Sequence, residues 1–308
     1  MDDTTINTGK VAYVFPGQGS QWAGMGYDIY QNYPEAKAVF DESDDIMGFS
    51  VSQLCFQGPQ EKLNRTDYAQ PVILATSIAY LKVLSKVLKE EIPAPDLVAG
   101  HSLGEYTALV AANVLSLRDA LCLVQKRGQL MQRESDKIPS GMAAIIGLDK
   151  EILEEICRES GTEIANINSP GQIVISGSKE SLAKGIDMAK ARRALRVIPL
   201  NVAGAFHSKI MQGASDELSS FISSLSFRNA SIPVVGNTSA QPLTGTEEIK
   251  SELVKQLCYY VQWQSTIEYM VKTGVVTFTE IGPGTVLTGL NKRISKETQI
   301  VNVGCVPH

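Results

Sequence analysis

Histidine is the scarcest reactive residue in this chain, with three copies in 308 residues. His101, His207 and His308 are too few and too scattered to supply a histidine-rich metal centre, so no metal site is expected. Cysteine is also sparse. Cys55, Cys122, Cys157, Cys258 and Cys305 are odd in number and form no Cys-x-x-Cys pair. That excludes a disulfide framework and a zinc ribbon, and it predicts buried free thiols in a reducing, cytoplasmic setting. There is no excess of positive charge. A net charge of −5 excludes general binding to nucleic acid, which needs a basic face. No apolar run approaches the roughly 20 residues of a membrane span. Residues 1–10 are polar, and the apolar run 11–15 is too short for the core of a secretion signal. A membrane partner is therefore not expected.

The remaining composition is that of an ordinary globular protein, 44% hydrophobic and 20% charged. Residues 11–15 read as a short buried strand. The glycine-rich stretch after it, Pro16-Gly17-Gln18-Gly19-Ser20-Gln21-Trp22, lacks the Gly-Lys-Ser/Thr ending of a P-loop. Trp22 also occupies the place of the third glycine in a dinucleotide fingerprint. Helical periodicity follows at 28–47 and 70–89, an apolar strand at 97–99, and helices at 106–112 and 117–134. Between 142 and 200 the order changes to strand, helix, strand, strand, helix, strand. That β-α-β-β-α-β order is the ferredoxin-like unit. Helices at 209–224, 247–258, 264–272 and 285–294, with strands at 232–236 and 275–281, complete the chain. The expected fold is α/β: an α/β-hydrolase-like core with a parallel sheet, built from 1–138 and 202–308, and an inserted ferredoxin-like subdomain at 139–201.

The strongest local signal is Gly100-His101-Ser102-Leu103-Gly104-Glu105. Gly-x-Ser-x-Gly between a strand and a helix is the nucleophile elbow, where a strained turn projects a serine into a cleft. The free N–H groups of the following helix can there hold an oxyanion. Ser102 needs a base. His308 ends the chain and is expected to fray. His101 adjoins the serine, and neighbouring side chains tend to point apart. Elimination leaves His207, whose unperturbed pKa lies near neutrality. No Asp or Glu stands out as the acid of a triad. Arg127 sits in an apolar helical pattern with Leu123, Val124, Leu130 and Met131. By composition alone it reads as a surface arginine paired with a nearby acid.

Several separated motifs share a pattern: Phe15-Pro16-Gly17-Gln18-Gly19-Ser20-Gln21, Gly100 to Glu105, Arg127-Gly128 with Met131-Gln132, Asn168 to Gln172, Ala205 to Ser208, Val261-Gln262-Trp263, and Glu280 to Gly284. On these motifs the chain resembles the malonyl-CoA:acyl carrier protein transacylase family over residues 11–295. The resemblance implies a ping-pong transfer of malonyl from CoA to a carrier-protein phosphopantetheine thiol, with Ser102 acylated and His207 as base. It implies an oxyanion hole from the amides of Gln18 and Leu103, and Arg127 as the ligand of the malonyl carboxylate. The main-chain carbonyl of Gln262 would orient His207 in place of an acid, with His101 and Asn168 lining the cleft as supporting residues. Malonyl-CoA and acyl carrier protein are the implied partners, the CoA thioester is a substrate, and no cofactor is implied. Tyr260 departs from the proline frequent before Val-Gln-Trp. The Ala-Phe-His form at 205–207 resembles the version tied to malonyl rather than methylmalonyl selection. Supply of fatty-acid synthesis is the first expectation. A free-standing acyltransferase of a polyketide synthase and a serine thioester hydrolase are the alternatives. The basic side chains of Lys184, Lys190, Arg192, Arg193 and Arg196, and of Lys292 and Arg293, read as solvated helix faces or as a docking patch for the carrier.

Overall fold

The computed structural model describes residues 9–87 and 92–304. Cys305, His308 and the end of the expected 70–89 helix lie outside the described residues. Ten strands are present among them: β1 (Lys10–Phe15), β2 (Leu97–Gly100), β3 (Ser140–Ile146), β4 (Glu163–Ser169), β5 (Gln172–Ser178), β6 (Arg196–Pro199), β7 (Val234–Val235), β8 (Pro242–Leu243), β9 (Val275–Ile281) and β10 (Gln299–Val303). They form two sheets.

The larger sheet has the order β10-β9-β1-β2-β7-β8. All its pairings are parallel except the short β7–β8 pair. β1 and β2 are nearly continuous apolar runs because helices cover both faces of a parallel sheet. The connections from β1 reach β2 on one side, while β9 closes the other side. β1 therefore stands at the switch point where such sheets open a crevice beyond their carboxyl ends. Phe15 pairs with Gly100, so the loops leaving β1 and β2 emerge side by side.

The smaller sheet has the order β4-β5-β3-β6 and is antiparallel throughout. Its helices, Lys150–Ser160 and Lys179–Ala191, bury Leu153, Ile156, Leu182 and Ala189 against one face. This is the ferredoxin-like arrangement read from the sequence, with strands drawn from 140–199. Val261 forms a bridge with Asn166, which ties β4 to the loop before the helix Trp263–Lys272.

Some elements differ from the sequence reading. The 28–47 helix is two helices, Tyr27–Asn32 and Pro34–Met47, because Pro34 starts a new helix at its first position. The helix expected at 209–224 opens with a 3-10 turn, Lys209–Met211, before Gln212–Ser224. The helix expected to reach 258 ends at Gln256. β8 and β10 carried no periodicity that the sequence reading caught.

Candidate active site

Ser102 stands on the turn between β2 and the helix Gly104–Ala111, at φ 51°. That left-handed backbone is strained for a serine and is the mark of the elbow. The flanking glycines are required by contact. A Cβ at Gly100 would lie 1.8 Å from the Gly104 carbonyl carbon, and one at Gly104 would lie 2.0 Å from the Phe15 carbonyl oxygen. The glycine-rich loop after β1 lies against the elbow in the same way, because a Cβ at Gly17 would meet the His101 carbonyl oxygen at 2.4 Å.

Ser102 Oγ is 2.9 Å from His207 Nε2. His207 Nδ1 is 2.7 Å from the main-chain oxygen of Gln256. A carbonyl only accepts, so Nδ1 carries the proton and Nε2 is left to accept from the serine. Burial, and then the charge of Arg127, lower the His207 pKa to about 3. The imidazole is thus held neutral, which is the form a base needs.

The orienting carbonyl is not the one that the resemblance implied. Gln262 does not face His207. Its carbonyl accepts from Thr266 N at 2.9 Å, its amide donates to the Asn237 carbonyl at 2.8 Å, and its side chain donates to the Thr238 carbonyl. Gln262 is spent on starting the helix Trp263–Lys272. Gln256 instead ends the helix Thr246–Gln256, where carbonyls have no partner within the helix. That freedom lets its oxygen take the histidine.

Arg127 projects from the buried face of the helix Leu117–Lys137 and is 1% exposed. Gly128 lets this helix approach the helix Thr66–Val87, since a Cβ there would lie 2.6 Å from the Thr66 carbonyl oxygen. The guanidinium donates to Gln70 Oε1 at 2.9 Å, to Gln256 Oε1 at 2.9 Å and to Ser102 Oγ at 3.1 Å. Its carbon is 5.2 Å from the centre of the Tyr106 ring. Arg127 Nε has no partner, and no carboxylate forms an ion pair with Arg127 among the described residues. The nearest acid in the charge balance, Glu105, reaches Arg127 through Gln256 rather than by direct contact, so the guanidinium beside Ser102 can accept an anion.

The amide of Gln18 and that of Leu103 donate to no acceptor among the described residues, and both residues line the cleft with Ser102. The Ser102 amide is unavailable, because it donates to Asn237 Oδ1 at 2.7 Å. His101 turns away from the serine, as expected, and its Nε2 lies 2.8 Å from Asn168 Oδ1 on β4. That contact joins the small sheet to the elbow. The cleft is about 300 Å³ and lies between the carboxyl edge of the large sheet and β4–β5. Phe206 lies on its wall beside the base.

The family of acyl transferase domains matches residues 12–307. The malonyl CoA-acyl carrier protein transacylase of Bacillus subtilis (strain 168) is 43% identical over 302 residues, covering 96% of this chain and 93% of that protein. The chain belongs to the malonyl-CoA:acyl carrier protein transacylase family. The polyketide biosynthesis transacylase PksC of Bacillus subtilis is 42% identical, covering 94% of this chain and 98% of its own. Among solved structures, an acyl carrier protein S-malonyltransferase from Vibrio cholerae superposes with a TM-score of 0.92 at 39% identity, over 96% of this chain and 97% of its own. A malonyl-transacylase solved in complex with a type II polyketide acyl-carrier protein superposes with a TM-score of 0.92 at 40% identity, over 96% of both chains.

Within this transacylase site, four residues had no role in the sequence reading: Gln70, Glu105, Asn237 and Gln256. Glu105 was visible in the elbow motif, and a helix-ending position was the only signal for Gln256. The basic patch on the small subdomain is partly neutralised by its own acids. Arg192 pairs with Glu155, and Lys190 with Asp187. Arg293 donates to Gln172 at the cleft.

Proposed function

We propose that this chain transfers a malonyl group from CoA to the phosphopantetheine thiol of an acyl carrier protein, through an ester on Ser102. His207 Nε2 takes the Ser102 proton as Oγ attacks the thioester carbonyl. The amides of Gln18 and Leu103 hold the oxyanion, each worth about 3 kcal/mol in sites of this kind. The carbon–sulfur bond breaks, and His207 returns the proton to the CoA sulfur. The carrier thiol then repeats the sequence on the ester, with the same base taking its proton. Both steps balance without a metal or redox cofactor.

The observation that carries this reading is Arg127, a buried guanidinium with no ion pair among the described residues, at 3.1 Å from Ser102 Oγ. In a malonyl ester the free carboxylate is one methylene from the ester carbonyl, within reach of that group. Guanidinium offers the planar fork that a carboxylate matches.

Intact-mass measurement after mixing with malonyl-CoA tests the reading. The expected result is one malonyl adduct, absent in Ser102→Ala and transferred to carrier thiol faster than to water. An adduct lost to water as fast as to thiol would instead support a hydrolase. Supply of fatty-acid synthesis is the first assignment. Service to a polyketide synthase is the second, favoured by the 42% identity to PksC. Comparing transfer to the two kinds of carrier separates them. A cytoplasmic site of action fits the free state of Cys55, Cys122, Cys157 and Cys258. Among the described residues no helix is long and apolar enough to cross a membrane.

A further inference from the structure

Glu105 takes no part in the steps above, yet the hydrogen bonds that hold the site converge on it. It stands three residues after the nucleophile, in the first turn of the helix Gly104–Ala111, and is 1% exposed. An acid is favoured at a helix N-terminus. A side chain turned to water would satisfy that preference at no cost in desolvation. Glu105 is instead folded under the elbow, and it forms no ion pair among the described residues.

Its two oxygens accept from different brackets of the site. One takes the Asn237 amide at 3.2 Å. The Asn237 side chain in turn accepts from Ser102 N at 2.7 Å and donates to the Gly100 carbonyl at 2.7 Å. The other oxygen accepts from Gln256 Nε2. That same nitrogen donates to the Ser102 carbonyl at 2.9 Å, and Gln256 Oε1 accepts from Arg127 at 2.9 Å. Burial, and then the charge of Glu252, push the Glu105 carboxyl well above the usual carboxylate range. Each of its oxygens nevertheless faces a donor, so the Gln256 amide links a guanidinium, which only donates, to an accepting Glu105 oxygen. An amide has one orientation that serves both.

We propose that Glu105 is a positioning residue: by accepting from the Gln256 side chain it keeps the amide oxygen turned to Arg127, which holds the guanidinium beside Ser102 and makes the site selective for acyl groups that end in a carboxylate. Without that acceptor only the Ser102 carbonyl still holds the amide nitrogen, and a rotation that sets its N–H groups against the guanidinium costs less. Arg127 then loses one of its fixed partners. A malonyl group depends on the position of Arg127, and an acetyl group does not. The inference rests on the reading of Arg127 as the carboxylate ligand.

Glu105→Gln tests it. The variant keeps the shape but has one acceptor oxygen where two are used, so either Asn237 or Gln256 loses its partner. Rates of Ser102 acylation by malonyl-CoA and by acetyl-CoA are read by intact mass, in the wild-type and Arg127→Ala backgrounds. The malonyl-to-acetyl ratio is expected to fall about tenfold in the first background and to change less than about twofold in the second, because both changes act through one group. An undiminished ratio, an equal loss of both acyl transfers, or the same fall in both backgrounds overturns the proposal. Gln256→Met supplies the second readout if Glu105→Gln does not fold. It keeps the main-chain carbonyl on His207 while removing the amide, and an unaltered ratio there also overturns the proposal. Wild-type protein that takes no malonyl group would refute the transferase reading itself. Wild-type protein that does, beside a Glu105→Gln variant of unchanged selectivity, refutes only the role of Glu105.

Discussion

Replacing Arg127 by alanine separates a carboxylate receptor from a structural arginine. The side chain is buried, donates to Ser102 Oγ at 3.1 Å and forms no ion pair among the described residues. A malonyl carboxylate would accept two charge-assisted hydrogen bonds there, each worth about 1.5–3 kcal/mol. Their loss lowers malonyl transfer by about 3–6 kcal/mol, or roughly a hundredfold to somewhat over ten-thousandfold in kcat/KM. Acetyl lacks the carboxylate and loses none of this. The fold should hardly notice. The bonds to Gln70 and Gln256 disappear, but so does the desolvation cost of a buried ion, several kcal/mol in other proteins. The net change in stability is expected within about 1 kcal/mol, visible as a small shift in Tm. The assay is rapid-quench acylation of Ser102 by the two thioesters, with thermal melts on the same samples. Equal losses for malonyl and acetyl would refute the argument. Arg127→Lys should fall between, since an ammonium keeps the charge but not the fork.

The pH dependence follows from His207, whose folded pKa is about 3 against an ordinary 6.5. The base form should persist in acid, so Ser102 acylation should stay flat from about pH 8 to about pH 5. A loss of rate centred between 6 and 7 would contradict a buried neutral imidazole. In the same window the unfolded chain binds a proton that the folded chain does not. The stability that His207 contributes is complete above 6.5 and falls as the pH drops toward 3, measurable by denaturant titration. The strain at Ser102, φ 51°, gives a third prediction. Neither Ser102→Ala nor Ser102→Gly should form an adduct, and the glycine variant should be the more stable by about 1 kcal/mol in denaturant melts. Equal stability would mean that the elbow relaxes when the hydroxyl is removed.

The elbow was legible because its physics is local. Gly100 and Gly104 stand two residues either side of Ser102, and the contacts that demand them are made within one turn and with the adjoining β1. The small subdomain was legible because each of its strands and helices follows its own periodicity. His207 was found by scarcity, since few alternatives existed. The carbonyl on its far side was not. Gln256 and Gln262 differ only in where a helix stops, and helix ends are set by tertiary contacts as much as by sequence. The pair Asn237 and Glu105 was hidden for a related reason. The site partners named for them lie 132 to 151 residues away in the chain, and no spacing rule spans that distance.

The sequence by itself determined the candidate nucleophile, the pool of possible bases, the order of most elements and the family. Each depends on residue identity or on local periodicity, which a linear chain displays. The tertiary structure alone decided that Arg127 is a buried cation with no ion pair among the described residues, because pairing and burial depend on what packs around a side chain. It alone moved the orienting carbonyl from Gln262 to Gln256. It alone placed Glu105 beneath the serine. Those assignments require four helices and two loops to be brought together, and only the folded chain brings them within hydrogen-bond distance.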